Sequence, residues 1–180
     1  MTEKETHTGM ARTADKMQDV VGGMMGRATA RSAGSTDDEA FVQNAARGDM
    51  FEIAAAKYML KHSGNETVRG AAAQMLADHT TMSNQLRSAL GSSETPDIAI
   101  PGSLDERRKS VLDHLQRAPA DKLDKTYVDQ QVLAHKETVD LLSGYASVGP
   151  NPQLRSVALG ALPVVKRHLA RMEALESSGL

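Results

Sequence analysis

Apolar residues recur along most of the chain at alternating intervals of four and three positions, the period of an α-helix with one buried face. The clearest run lies in residues 68–86, and its buried line comprises Val68, Ala72, Met75, His79, Met82 and Leu86. Similar lines run through residues 41–59, 128–146 and 154–175. The pattern predicts four long amphipathic helices.

Capping residues predict where the first two long helices begin and end. Thr36 and Glu39 form a capping box at the start of the first helix, which is expected to end near His62. Asn65 is expected to cap the second helix, which continues to about Gly91. Because the link between them is short, the two helices are expected to run antiparallel.

The second half of the chain follows a loop that contains two prolines. Ser103 and Glu106 form another capping box, which begins a short helix. Two further long helices are predicted over about 121–148 and 152–177, the last one capped by Asn151. These elements predict an all-α fold: an antiparallel four-helix bundle with a short extra helix in the crossing between long helices two and three.

Residues 1–36 differ from the rest of the chain, being rich in Gly, Thr, Ser and Met. An apolar stripe with helical spacing runs from Met10 to Ala28, but each glycine within it costs roughly 1 kcal/mol relative to alanine in a helix. We expect residues 1–36 to be a flexible or weakly helical segment and residues 37–178 to form the bundle. The segment either docks on the bundle, on a second copy or on another protein, or forms a disordered tail.

Composition limits the functions that such a bundle can have. Aromatic residues make up only 3% of the chain and hydrophobic residues 40%, with ten methionines, which is typical of close-packed helices. The net charge of −2, without blocks of like charge, argues against nucleic-acid binding. Cysteine is absent, which excludes disulfides, thiolate metal ligands and cysteine nucleophiles.

The compartment is predicted from two absent features. No run approaches about 20 uninterrupted apolar residues, so we expect no membrane span. The N-terminal residues also lack the apolar run of a secretory signal. The sequence as written is therefore expected to be cytoplasmic, unless a signal has been removed.

Each long helix carries one ionisable residue in its otherwise apolar line: Glu52, His79, His135 and His168. At a rise of about 1.5 Å per residue and with alternating directions, they lie about 21, 18, 21 and 14 Å from the same end of the bundle. We expect three imidazoles and a carboxylate to meet near mid-bundle, where four-helix bundles place metal sites.

This set of side chains suits a single divalent metal ion. The ion would be tetrahedral zinc, or iron or manganese with water completing the coordination. The alternative is a metal-free polar layer in which Glu52 accepts hydrogen bonds from the imidazoles.

Several neighbours of the candidate ligands bear on the site. Tyr127 and Gln131 precede the histidine of their helix by eight and four residues and are candidate second-shell partners. Asp78 is adjacent in sequence to the histidine of the second helix and points about 100° away from it. It is a third second-shell candidate, expected to be solvated and to ligate only if the helix is distorted. Pro163 is expected to bend the last helix ahead of its histidine.

Three motifs occur in a recognisable order: DH in the second helix, Y…Q…H in the fourth and LP…HL in the fifth. The helical segments considered are FVQNAARGDMFEIAAAKYML, AAAQMLADHTTMSNQL, LDKTYVDQQVLAHKETVDLL and LRSVALGALPVVKRHLARME. They resemble a bacterial ferritin-like family, the domain of unknown function 4142, over about residues 38–176. The resemblance implies a ferritin-like fold. Because members are often labelled outer-membrane or periplasmic proteins, it also implies the periplasm or cell envelope.

Ferritin-like di-iron proteins carry a glutamate three residues before each site histidine. Here those positions hold Leu76, Val132 and Val165, so ferroxidase or oxygenase activity is not expected. The first hypothesis is a non-enzymatic metal-binding bundle in metal handling or stress response. The second is a structural or protein-interaction bundle with a metal-free polar layer. The third is a mononuclear metal enzyme.

Overall fold

The computed structural model of the protein describes residues 33–92, 94–95 and 97–180, and none of these lies in a β-strand. Five helices follow one another in this part of the chain: α1 (Asp38–His62), α2 (Glu66–Leu90), α3 (Glu106–Arg117), α4 (Leu123–Val148) and α5 (Pro152–Ser177). Residues 33–36 form a helical turn before α1. The all-α prediction is confirmed. The predicted stripe from Met10 to Ala28 lies outside the described residues.

The helix ends lie close to the predicted positions, but two of the predicted N-caps are wrong. Asp37, rather than Thr36, caps α1, and its Oδ1 accepts a hydrogen bond from the Ala40 amide at 2.6 Å. Asp105, rather than Ser103, caps α3. An aspartate is as good a cap as serine or threonine, so a capping-box spacing alone does not select the residue. Both predicted asparagine caps are confirmed.

The helices pack together as a bundle. The long helix α1 packs against α2 and α4, and α5 packs against α4 and α2. The short helix α3 packs on α1 and α4. Gly144 of α4 allows the turn before α1 to pack closely, because a Cβ there would lie 2.1 Å from Ser35 Oγ. Among the helices described, none is long and apolar enough to cross a membrane.

The apolar core consists of two clusters. One includes Phe51, Met59, Met75, Tyr127 and Met172, and the other includes Phe41, Leu86, Leu142, Tyr145 and Leu154. Burial of each such side chain stabilises the fold by roughly 1.5–3 kcal/mol. On every long helix, a buried polar residue lies between the members of the two clusters: Asp49, His79, His135 and His168. The two clusters therefore enclose a polar layer.

Candidate metal centre

Three histidines from three helices meet in this polar layer. His79 and His135 are each 1% exposed, and His168 is 4% exposed. Their ring centroids form a nearly equilateral triangle with sides of 5.6, 5.5 and 5.5 Å. One nitrogen from each of the three rings lies within 4.8 Å of the nitrogens from the other two. In the described part of the chain, these three histidines form the group that could hold a metal ion. The three imidazoles therefore meet as the apolar lines of their helices predict.

One nitrogen of each ring faces a hydrogen-bond acceptor. His79 Nδ1 lies 2.9 Å from Asp49 Oδ1, and His168 Nε2 lies 2.8 Å from Asp78 Oδ2. His135 Nδ1 lies 2.8 Å from the backbone oxygen of Gln131. A carbonyl or an ionised carboxylate can only accept, so these contacts place the single N–H of neutral His135 and His168 on the nitrogen named, and that of His79 likewise when Asp49 is ionised.

The opposite nitrogen of each ring is then a bare lone pair. These atoms are His79 Nε2, His135 Nε2 and His168 Nδ1, and each is buried without a hydrogen-bond partner among the described residues. Buried polar atoms are nearly always paired, so three such lone pairs in one place require an explanation. Imidazoles that bind a metal through one nitrogen commonly donate the other N–H to a carboxylate or carbonyl, which is the arrangement seen here.

Burial also keeps the three rings neutral. It lowers the pKa of His79 to about 3, and the nearby His168 ring acts in the same direction. The pKa of His135 is held well below its usual value, first by burial and then by the His79 ring. Burial lowers the pKa of His168 as well, although its bond to Asp78 opposes this. Neutral imidazole is the form that binds a metal ion.

Glu52 lies beside the three rings rather than within their set of nitrogens. It is 2% exposed, and its Oε1 is 3.8 Å from His135 Nδ1, the nitrogen that faces the Gln131 carbonyl. Burial raises its pKa to about 8, the nearby Gln131 side chain opposes this rise, and the Asp49 charge adds to it. At neutral pH this carboxyl is therefore mostly protonated.

The two aspartates in contact with the rings have opposite environments. Asp49 is buried, which raises its pKa well above the usual value. Asp78 is partly exposed, and hydrogen bonds from Gln74 and His168 lower its pKa although its limited burial acts to raise it. Sequence reasoning named Asp78 as a second-shell candidate that was expected to be solvated, and it did not select Asp49. The available signal for Asp49 was its position one helical turn before Glu52 on the same face.

Tyr127 and Gln131 are fully buried on the face of α4 that carries His135. The Gln131 backbone oxygen, and not its side chain, holds the His135 ring. The Tyr127 hydroxyl and both polar atoms of the Gln131 side chain have no hydrogen-bond partner within the described ranges. These two side chains therefore bring further polar groups into the layer.

A buried ion-pair network closes the bundle next to Glu52. Arg108 Nη2 donates to Glu137 Oε1 at 2.9 Å, and Arg107 Nη2 donates to the same oxygen at 2.6 Å. The Arg108 guanidinium also pairs with Asp105. Sequence reasoning missed this network, which fixes α3 on α4.

Two small cavities adjoin this network. One, of about 40 Å³, is lined by Gly48, Glu52, Arg108 and Glu137. The other, of about 30 Å³, is lined by Gly48, Asp49, His79 and Arg108, among other residues. A water molecule needs about 10–15 Å³ on this scale, so each cavity has room for a small number of atoms. Gly48 and Arg108 line both cavities.

The chain matches the family described as Domain of unknown function (DUF4142) over residues 23–175. It belongs to this family. No curated protein matches this DUF4142 chain. A solved structure, the DUF305 fragment from Deinococcus radiodurans, is similar with a TM-score of 0.64 and 18% identity, over 75% of this chain and 91% of that chain. At this identity the likeness concerns the fold, which is that of a helical domain.

Proposed function

We propose that this DUF4142 chain is a metal-binding helical bundle in which His79, His135 and His168 hold one divalent ion. The observation that carries the proposal is the trio of buried, unpartnered ring nitrogens, one from each histidine. Each ring is already held from behind by a carboxylate or a carbonyl. A metal ion supplies a partner for all three lone pairs at once. Without an ion, each buried nitrogen that lacks a partner destabilises the fold by about 1–3 kcal/mol.

The proposal includes an antiparallel four-helix arrangement with ferritin-like connections. Phe41 near the start of α1 shares a core cluster with Leu86 near the end of α2. Met59 near the end of α1 shares the other cluster with Val68 near the start of α2. The same division of α4 and α5 between the clusters supports a second hairpin, with α3 in the crossing between the two.

Three imidazoles with open positions suit zinc, or iron or manganese with additional oxygen ligands. Tetrahedral zinc–nitrogen bonds of about 2.0–2.1 Å bring nitrogens to within about 3.4 Å of one another. The rings, whose nitrogens span up to 4.8 Å, would then close around the ion. Glu52 remains the predicted fourth ligand, but its approach to the Nδ1 edge of His135 favours a position beside the ion.

The role that we propose is metal handling rather than oxidation chemistry. The carboxylates that bridge two irons in ferritin-type oxidases are replaced here by Leu76, Val132 and Val165. A single ion held by three neutral ligands remains. That the protein takes part in a stress response stays a prediction. The compartment in which it works stays a prediction as well.

Thermal melts with chelator and with added zinc, manganese or iron test the proposal. An ion that binds the folded state raises its stability by RT ln(1 + [L]/Kd), about 2.7 kcal/mol at one hundred times Kd. We expect metal to raise the melting temperature of the wild type and chelator to reverse this. His135→Ala should lose the response, and His62→Ala, which alters an exposed histidine at the end of α1, should keep it.

Elemental analysis of protein purified without added metal completes the test. A wild-type melting temperature that is the same with metal and with chelator, together with no bound metal, would overturn the proposal. The three histidines would then form a metal-free polar layer, and His135→Ala would only lower stability.

A further inference from the structure

The group of side chains that could share one ion contains no carboxylate. Among the described His, Asp and Glu residues, the group comprises His79, His135 and His168. Glu52 Oε1 lies 3.8 Å from His135 Nδ1, the nitrogen that is hydrogen-bonded to the backbone. Asp49 and Asp78 likewise contact their rings at the hydrogen-bonded nitrogens. These three carboxyl groups therefore lie behind the rings, and an ion between the rings has three uncharged ligands.

The three rings are arranged with nearly threefold symmetry. Their centroids lie 5.6, 5.5 and 5.5 Å apart. With bonds of about 2.0 Å, an ion in the plane of three imidazole nitrogens places the ring centroids roughly 5.4 Å apart, whereas a tetrahedral ion places them roughly 5.1 Å apart. The observed spacing is closer to that of a planar, three-coordinate ion. The nitrogens reach such an ion mainly by reorientation of the rings, because the centroids already have the required spacing.

Methionines flank the layer on the helix faces that carry two of the histidines. Met75 and Met82 lie four residues before and three residues after His79, and Met172 lies four residues after His168. All three methionines are at most 7% exposed, and they belong to the core clusters on the two sides of the layer. Thioether sulfur and imidazole are both ligand types that suit copper, whereas harder ions prefer oxygen. The surroundings of the site are therefore soft and uncharged.

The charge of the ion matters because the three rings are buried. The hydration energy that an ion loses on burial rises with the square of its charge, so a divalent ion loses about four times as much as a monovalent ion of similar size. Anionic ligands or water usually compensate a divalent ion. Three imidazoles supply no negative charge, so this site favours a monovalent ion.

We propose that the three histidines bind copper(I) as a three-coordinate ion, through one nitrogen of each ring and without a fourth ligand. The inference rests on the proposed function, since it uses the same nitrogens, and it adds a monovalent ion to the divalent ions named there. Copper(II) fits less well, because it favours a square-planar or tetragonal set of ligands, which a triangle of rings does not provide. Within metal handling, the substrate of the site is then the cuprous ion.

Competition with bicinchoninate, a chelator whose copper(I) complex is coloured, measures the affinity of the full chain for copper(I). Ascorbate and the exclusion of air keep the copper reduced. We expect the wild type to remove copper(I) from the chelator. His135→Ala should weaken this binding at least about a hundredfold, since loss of a ligand costs more than loss of an outer partner. His62→Ala, which alters an exposed histidine at the end of α1, should bind copper(I) like the wild type.

The coordination number is tested by X-ray absorption at the copper edge and by one variant. Wild-type chain loaded with one equivalent of copper(I) should show three nitrogen ligands. Four light-atom ligands, or a sulfur ligand from a methionine, would overturn the three-coordinate site. Glu52→Gln should leave the copper(I) affinity unchanged, because Glu52 is not a ligand in this proposal. A loss of copper(I) affinity of about tenfold or more in this variant would show that Glu52 closes the site.

The outcomes separate this inference from the proposed function. A chain that binds zinc, manganese or iron but not copper(I) overturns this inference alone. A chain that binds copper(I) through the three histidines and no divalent ion confirms it and overturns the divalent ion of the proposed function. A chain that binds none of these ions overturns both. Equal copper(I) affinity in His135→Ala and the wild type overturns the assignment to the three histidines. If His135→Ala does not fold, the ligands seen by X-ray absorption in the wild type decide the question.

Discussion

Asp49 and Asp78 hold two of the three histidine rings, but they differ in their contact with solvent. The Asp49 side chain is 11% exposed, and the Asp78 side chain is 27% exposed. Asp49 lies within the layer that the core clusters enclose, whereas Asp78 lies at its rim. Asp78 can therefore be changed with little effect on packing, which makes it the better position for separating ring orientation from stability.

We predict that Asp78→Asn weakens zinc binding by about 10–100-fold. The carboxylate accepts from His168 Nε2 at 2.8 Å, and loss of such an outer partner reduces both the orientation and the basicity of the ring. Stability without metal should change by less than about 1 kcal/mol because the position is partly exposed. Competition with a chromophoric chelator measures the affinity. Asp129→Asn on α4 is the control, and equal zinc affinity in the two variants would contradict the prediction.

The histidines could be predicted from sequence because each replaces an apolar residue in a helical line. Their partners could not. Asp49 and His79 lie 30 residues apart, and Asp78 and His168 lie 90 apart, so each contact depends on how two helices are rotated and shifted against each other. Helical periodicity fixes the buried face of one helix to within about a residue and carries no information about that relative shift.

At the scale of the helix, Pro163 is a residue inside α5 that cannot donate a backbone hydrogen bond. α5 runs from Pro152 to Ser177 with this proline inside it. A proline there removes the amide that would bond the Leu159 carbonyl, but Leu159 is 58% exposed, and water can pair with that oxygen. The helix therefore tolerates the proline on its solvent side.

We predict that Pro163→Ala raises the free energy of unfolding by up to about 3 kcal/mol, the difference between proline and alanine in a helix interior. Urea unfolding in the presence of chelator measures it. Pro152→Ala is the control, because proline at the first helical position costs nothing, and its stability should change little. A Pro163→Ala variant less stable than the wild type would contradict this prediction and show that the bundle depends on the proline.

The packing of the short helix α3 could not be predicted from its sequence pattern. It buries only Arg108 and Leu115, and therefore presents hardly any apolar line in its sequence. Its attachment depends on Arg107, Arg108 and Glu137, whose pairing joins residues some 30 positions apart. Charged residues on a helix are usually solvated, so sequence alone gave no reason to place these inside.

For the whole molecule, the division of the core into two clusters around a polar layer links stability to pH. The helical fold follows from four long apolar lines, which sequence reasoning identified. The layer inside it holds groups that burial favours in the neutral form when folded and that are charged when unfolded: the three histidines below about pH 6.5, Asp49 above about pH 3.8 and Glu52 above about pH 4.5. Each such group makes the stability depend on protons.

The last prediction concerns this dependence in metal-free protein. The pKa of His79 is about 3 when folded and 6.5 when unfolded, so its stabilising contribution is complete above pH 6.5 and is lost as the pH falls toward 3. His135 and His168 act in the same direction. The pKa of Glu52 is about 8 when folded and 4.5 when unfolded, so its contribution is complete below pH 4.5 and is lost as the pH rises toward 8.

Between pH 6.5 and 8 the unfolded histidines lose their remaining protons, so the difference between the wild type and a variant without the Glu52 carboxyl isolates the proton that Glu52 releases on unfolding. Relative to Glu52→Gln, the unfolding free energy of the wild type should therefore fall by about 1–2 kcal/mol between pH 6.5 and 8. Glu52→Gln has no titrating proton at this position, and it should keep the loss of stability in acid that the histidines cause. Urea unfolding at pH 5, 6.5 and 8 with chelator measures the stability in acid and between pH 6.5 and 8. Glu176→Gln, at an exposed position of α5, is the control. Equal slopes for Glu52→Gln and the wild type between pH 6.5 and 8 would show that Glu52 is not held neutral in the polar layer.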